Sequence, residues 1–372
     1  MSLSIVGLPP TLHEPPSAHR TLGVGVRRLN LGGLRDEVES WFEPTVLARL
    51  LGEPRTETER LGQQWLAEGG KRWRPFLTVA LYQALLEEPQ PFDELGDSLR
   101  RVAVSLECFH KASLIHDDIE DDDAERYGDK TMHERHGVPV ALNLGDFLIG
   151  EGYRLLAGSD VPADRRAEML RRAAAGHRSL SIGQGEELLW TRAPKPLSPQ
   201  EVVAIFRGKT APAFSTALHI GAVLGGADES LHAILDVFSD ALGVAYQIRD
   251  DLDDLQAARE AGEAPEVRPT LPWAIAHQVA DDRRALVAGA WIDGGDAEEI
   301  HRLLDTLEVR GRSAELYRAY RDEAVLSLAG LENANVQGLL CSVVGKIFDE
   351  PAIEDRCLRH HRAASLDRSE NL

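Results

Sequence analysis

Cysteine is scarce in this chain, and so are aromatics, positive charge and long apolar runs. Cys108, Cys341 and Cys357 are an odd number without metal-ligand spacing, so neither a zinc site nor a disulfide framework is expected, and a reducing cytoplasm is the expected setting. No apolar stretch approaches the roughly 18 residues needed to span a bilayer. The opening MSLSIVGLPP lacks the basic and apolar segments of a signal peptide. Aromatics are 6% of the 372 residues and period-two alternation is nearly absent, which argues against sandwiches and barrels. A formal net charge of −20 repels nucleic acid and anionic membrane surfaces alike.

Several familiar motifs are missing too. Gly23-Val24-Gly25 completes no dinucleotide loop, and GGKR lacks the glycine that opens a P-loop. His133-Glu134-Arg135-His136 is one residue short of the metalloprotease spacing, so its histidines would not share a helix face. Neither acidic cluster described below carries the glycine and glutamate of an EF-hand loop.

What the chain does have is helical periodicity. Apolar residues recur by threes and fours from Leu34, through Val38, Trp41 and Phe42 to Leu50 and Leu51. Similar stretches follow at 56–68, 75–88, 94–122, 139–157, 163–191, 199–224, 228–257, 270–289, 296–308, 312–329 and 332–348, separated by Gly and Pro. The pattern predicts an all-α fold, a single large bundle of ten or more helices over residues 31–349. A Pro-rich, poorly ordered lead-in (1–30) and a polar tail (350–372) flank it.

Two acidic clusters stand out, LIHDDIEDDD and QIRDDLDDL. Each repeats Asp at i, i+1 and i+4: Asp117, Asp118 and Asp121 in the first, Asp250, Asp251 and Asp254 in the second. On a helix these carboxylates crowd together and raise one another's pKa. One such run alone is most simply a solvated face. Two with the same spacing, each following an apolar stretch (Val102 to Ile115, Ile234 to Ile248), point to hard cations held between them, Mg²⁺ above all, and through those ions to a diphosphate.

Other residues suit the same chemistry. In GGKRWRP, glycines permit a tight turn while Lys71 and Arg74 offer charge to a phosphate. His110 lies two turns before Asp117 on roughly the same face. Arg126 can reach phosphate oxygens or pair with Asp122 or Asp123. Lys209, Thr210 and Gln247 add a cation, a hydroxyl and an amide able to hold a leaving group and to stabilise a carbocation.

GGKRWRP, SLIHDDIED, GDFLIGEGY, GQGEE, GKTA and YQIRDDLDD, in this order and spacing, resemble the trans-isoprenyl diphosphate synthases, or polyprenyl synthetases, over residues 35–348. The resemblance implies the all-α isoprenoid synthase fold around a central cavity, usually as a homodimer. It also implies head-to-tail joining of an allylic diphosphate to isopentenyl diphosphate. The six aspartates would hold three Mg²⁺ ions on the allylic diphosphate. Lys71, Arg74 and His110 would bind isopentenyl diphosphate; Arg126, Lys209 and Gln247 would contact the allylic one.

The chain departs from the family pattern in places. Tyr127 follows Arg126 where the family has a second Arg, and Arg268 stands where the second of two Lys before T-L-P is usual. Ser113 and Ala112, four and five residues before Asp117, are small. Phe109, one turn deeper and so about 5.4 Å further, is expected to form the floor for a product near C20. Two alternatives are a terpene synthase-like lyase on the same scaffold and a non-catalytic subunit of a heteromeric synthase.

Overall fold

The computed structural model describes residues 29–350; the expectations for most of the lead-in and tail, and Cys357, lie outside them. Among the described residues the only strands form one small hairpin, and the rest of the regular structure is helical, as the periodicity predicts. In chain order the helices are α1 (Leu31–Ser40), α2 (Pro44–Leu51), α3 (Glu57–Ala67), α4 (Trp73–Leu85) and α5 (Asp97–Glu120). The hairpin of β1 (Glu125–Arg126) and β2 (Asp129–Lys130) follows, then α6 (Met132–His136), α7 (Val138–Ala157) and α8 (Ala163–Arg192). Next come α9 (Pro199–Lys209), α10 (Ala211–Gly225), α11 (Glu229–Ala261), α12 (Leu271–Val279) and α13 (Arg284–Asp293). The series closes with α14 (Ala297–Thr306), α15 (Val309–Ser327) and α16 (Ala334–Ile347).

Three predicted helices are each divided in two. The stretch from Leu34 to Leu51 breaks before Pro44, which starts α2 where a missing N–H costs nothing. The stretch 199–224 breaks at Thr210, which ends α9 and begins α10 two residues before Pro212. That at 270–289 breaks at 280–283 between α12 and α13. Capping is explicit elsewhere: Thr56 with Glu59 and Ser198 with Glu201 form capping boxes on α3 and α9. Asp228 accepts from the Leu231 amide at 3.1 Å to start the 33-residue α11.

The main core lies between α4, α5, α7, α8, α10 and α11, with Leu77, Val104, Ile115, Leu148, Ile220 and Leu242 fully enclosed. A second core gathers Trp190, Trp273 and Trp291 under α9 and α12, with the Trp273 and Trp291 rings stacked at 6.3 Å. It anchors α12 beside the second acidic motif. No helix among the described residues is long and apolar enough to cross a membrane. Cys108 is a buried thiol.

Candidate active site

The first acidic motif closes α5. Asp117 and Asp118 lie in its last turn; Asp121 is the C-cap, and Asp122 turns the chain away at φ +56°. Carboxylates at a helix C-terminus face the negative end of its dipole, so this arrangement calls for cations. Arg126, on β1, provides one: its Nε donates in a short contact to Asp118 Oδ1, and its Nη2 lies 3.4 Å from Asp123. Of the partners open to Arg126 in the sequence, Asp123 is taken, Asp122 is not, and fully buried Asp118 is added. The other Asp118 oxygen is buried without a partner among the described residues. Burial pushes Asp117 up to about 6, with Lys209 opposing and Glu120 and Asp121 adding.

The second motif lies inside α11. Asp251, only 6% exposed, accepts a 2.7 Å hydrogen bond from the Leu271 amide at the start of α12 and another from Gln247, one turn before it. Burial pushes Asp251 up to about 7 and Asp250 up to about 6, and it also raises Asp254. In both motifs the middle aspartate is tied into the fold, by Arg126 or by α12. The i, i+4 pairs Asp117 and Asp121, and Asp250 and Asp254, are left on the other side.

One guanidinium acts on both motifs. Arg268 holds down Asp121 in the first and Asp250, Asp251 and Asp254 in the second. Glu187 keeps it there, 3.6 Å from Arg268, and also accepts from Lys209 Nζ at 2.6 Å. Gln184 donates to Glu120 at 2.9 Å, tying α8 to the first motif, and Thr210 donates to Gln247 at 2.9 Å. GQGEE was visible in the sequence, but nothing there reveals that Glu187 joins two cations distant in the chain. No three Asp, Glu, His or Cys side chains among the described residues gather closely enough to hold a metal ion alone.

A basic pocket adjoins the first motif. Arg72, only 3% exposed and at φ +47°, donates to Glu107 at 2.7 Å and to the Leu66 and Glu68 carbonyls. It is the structural cation of the GGKRWRP turn. Lys71 is exposed and Arg74 has no ion pair among the described residues. Burial, together with Arg74, Lys111, Arg72 and Arg126, holds His110 well below its usual range and therefore neutral. Its Nδ1 is buried without a partner among the described residues. Four cations about one neutral ring make a focus of positive potential in an acidic protein.

Behind the first motif, Ala112 is buried, and Ser113 turns its hydroxyl back to the His110 carbonyl at 2.9 Å. The Phe109 ring packs edge-on against Tyr153 of α7, with centroids 4.9 Å apart. Gly152 makes room for it, since a Cβ there would lie 2.6 Å from the ring. Tyr153 Oη is 3.3 Å from His177 Nδ1 on α8. Tyr153 ends the GDFLIGEGY motif, whereas His177 carries no signal in the sequence.

Residues 55–305 match the family model for polyprenyl synthetase. The farnesyl diphosphate synthase of Geobacillus stearothermophilus is 35% identical over 202 residues, which are 52% of this chain and 65% of that protein. The match thus spans just under two thirds of that relative. Among solved structures, the geranylgeranyl pyrophosphate synthetase of Pyrococcus horikoshii superposes with a TM-score of 0.72 at 23% identity, covering 85% of this chain and 97% of that one. A geranyltransferase from Helicobacter pylori, complexed with magnesium and isoprenyl diphosphate, gives 0.63 at 22% identity, covering 87% and 100%.

Proposed function

The chain belongs to the polyprenyl synthetase family and has its all-α isoprenoid synthase fold, and from that premise we propose that it joins an allylic prenyl diphosphate head to tail with isopentenyl diphosphate. The observation that carries this reading is the shared cation: Arg268, pinned with Lys209 by Glu187, acts on both acidic motifs, so a diphosphate set there meets carboxylates from two helices at once.

The donor set fits magnesium. Asp117, Asp121, Asp250 and Asp254 offer hard oxygens in two i, i+4 pairs, and substrate oxygens and water would complete each coordination sphere. Bound there, in the number of three, Mg²⁺ supplies Lewis-acid neutralisation of the departing diphosphate. Lys209 and Arg268 stand beside those carboxylates and oppose the charge that develops as the allylic C–O bond breaks. Thr210 and Gln247, bonded to each other, present polar oxygens without a strong nucleophile. Lys71, Arg74 and neutral His110 hold the second diphosphate so that its double bond meets the allylic carbon. The apolar wall below Ala112 keeps water from the cation.

Phe109, seated by Gly152 and Tyr153, closes that wall, which supports a product near C20. The protein works as a homodimer. Exposed apolar side chains on adjoining α7 (Val138, Val140, Leu142) and α8 (Ile182, Leu189) offer the contact face.

Incubation with C5, C10 and C15 allylic primers, isopentenyl diphosphate and Mg²⁺, read by mass spectrometry with and without chelator, tests the reading. Elongation to about C20 that chelator abolishes is expected. Diphosphate release from a prenyl diphosphate without isopentenyl incorporation would instead indicate a lyase, the reading that Tyr127 favours by removing a cation.

A further inference from the structure

The departure at Tyr127 lies over a buried lysine. Lys111 is fully buried, has no ion pair among the described residues, and donates from Nζ to the Glu68 and Gly69 carbonyls at 3.0 and 2.9 Å. These carbonyls open the glycine turn that carries Lys71. The ammonium lies 4.1 Å from the Trp65 ring and 5.1 Å from the Tyr127 ring, and Trp65 returns a 3.0 Å hydrogen bond to the Lys111 carbonyl. An ammonium removed from water needs such partners, and aromatic faces attract it through their quadrupole.

Tyr127 reaches this position at a cost in backbone conformation. It and Gly128 are the two turn residues of the hairpin, at φ +58° and +80°, the signs that a type I′ turn requires. Asn or Gly is usual at the first of these, and an aromatic in the left-handed region is uncommon. Arg126, the strand residue just before the turn, holds the hairpin to Asp118. The tip therefore cannot drift from Lys111 without disturbing the first acidic motif. With Arg72 neutralised by Glu107, Lys111 is a charge directly behind Gly69 that has no ion pair among the described residues.

We propose that Lys111, flanked by Trp65 and Tyr127, is the positioning residue that sets the Gly69-Gly70-Lys71 turn for the second diphosphate, and that Tyr127 couples the hairpin to that turn. This rests on the reading that the basic pocket takes isopentenyl diphosphate. Lys111 acts through the turn it holds, so its loss weakens binding of one substrate and spares the chemical step.

Steady-state kinetics of the Mg²⁺-loaded protein test it. Tyr127→Ala raises the KM for isopentenyl diphosphate about fivefold, the effect of losing one ring from a partly enclosed cation. The kcat and the KM for the allylic diphosphate stay within about twofold, and Tyr127→Phe, which keeps the ring, recovers the loss. In a Lys111→Met background, Tyr127→Ala adds nothing further. An unchanged KM in Tyr127→Ala, equal damage in Tyr127→Phe, or both substrates weakened together overturns the proposal. Hydrogen exchange at Glu68 and Phe76, whose amides bond to the Gln64 and Arg72 carbonyls on either side of the turn, gives a readout independent of turnover: faster exchange in Tyr127→Ala upholds the clamp and unchanged exchange overturns it. Should the wild-type protein incorporate no isopentenyl diphosphate, the reading of the pocket fails while exchange still decides the clamp.

Discussion

At the scale of single residues, the candidate site is held in a condition that opposes folding. Asp117 and Asp250 have pKa values raised to about 6 by burial, so each favours its neutral form. A raised folded-state pKa gives a contribution present below the unfolded value and lost as pH rises through the folded one. At pH 7.5 both carboxylates are therefore ionised and destabilising. Discounted for solvent screening, removing either charge is worth about 1 kcal/mol, or roughly 2 °C in a domain of this size. Metal-free Asp117→Asn and Asp250→Asn are expected to melt higher than wild type at pH 7.5 and level with it at pH 4. Both lose at least about 100-fold in turnover. Calorimetry and product assays on the same samples check the two halves, and a variant that melts lower at pH 7.5 would contradict the argument. The same protons compete with metal. Mg²⁺ with pyrophosphate should bind about tenfold more weakly at pH 5 than at pH 7.5, and Mg²⁺ alone only weakly at either, because no three side chains among the described residues make a site by themselves.

At the scale of elements, helices and carboxylate spacing were legible because both are local. Periodicity located the long helices, and i, i+4 spacing located the two pairs. The division at Thr210 was legible in Pro212, since a proline inside a helical run ends or kinks the helix just before it, but the periodicity alone ran through it. Interactions across the chain were hidden: Glu187 joins Lys209 to Arg268, and Asp251 binds the amide of Leu271. Both depend on helices crossing at a particular height. A further hidden contact joins α10 to α11. His219 Nδ1 lies 2.7 Å from His232 Nδ1, and its Nε2 lies 2.6 Å from Asp236. Burial pulls His219 down to about 4. A lowered folded-state pKa contributes stability above pH 6.5 that is lost as pH falls toward 4. His219→Gln cannot take up that proton, so its deficit in melting temperature should shrink by a few degrees between pH 7 and pH 4. A gap that widens on acidification would show that His219 is not buried neutral.

For the whole molecule, the question is what separates the apolar face from the active site. The exposed Ile182 and Leu189 are on α8, the helix that carries His177 and Glu187. Val138 and Leu142 are on α7, which carries Gly152 and Tyr153. The proposed dimer face and the wall that seats Phe109 therefore belong to the same two helices. Apolar side chains left in water favour association, whereas a net charge of −20 opposes it through long-range repulsion that salt screens. Dimerisation should accordingly strengthen from low to moderate ionic strength. Leu189→Asp places a charge at a side chain that is 66% exposed in the single chain and should yield a monomer by sedimentation without unfolding it. If α7 and α8 are steadied by their partner, that monomer loses the fixed contact of Phe109 on Tyr153, and its products spread to lengths beyond C20. A monomer that makes a single product would mean that the wall is rigid within one chain, and that the dimer serves something other than product length.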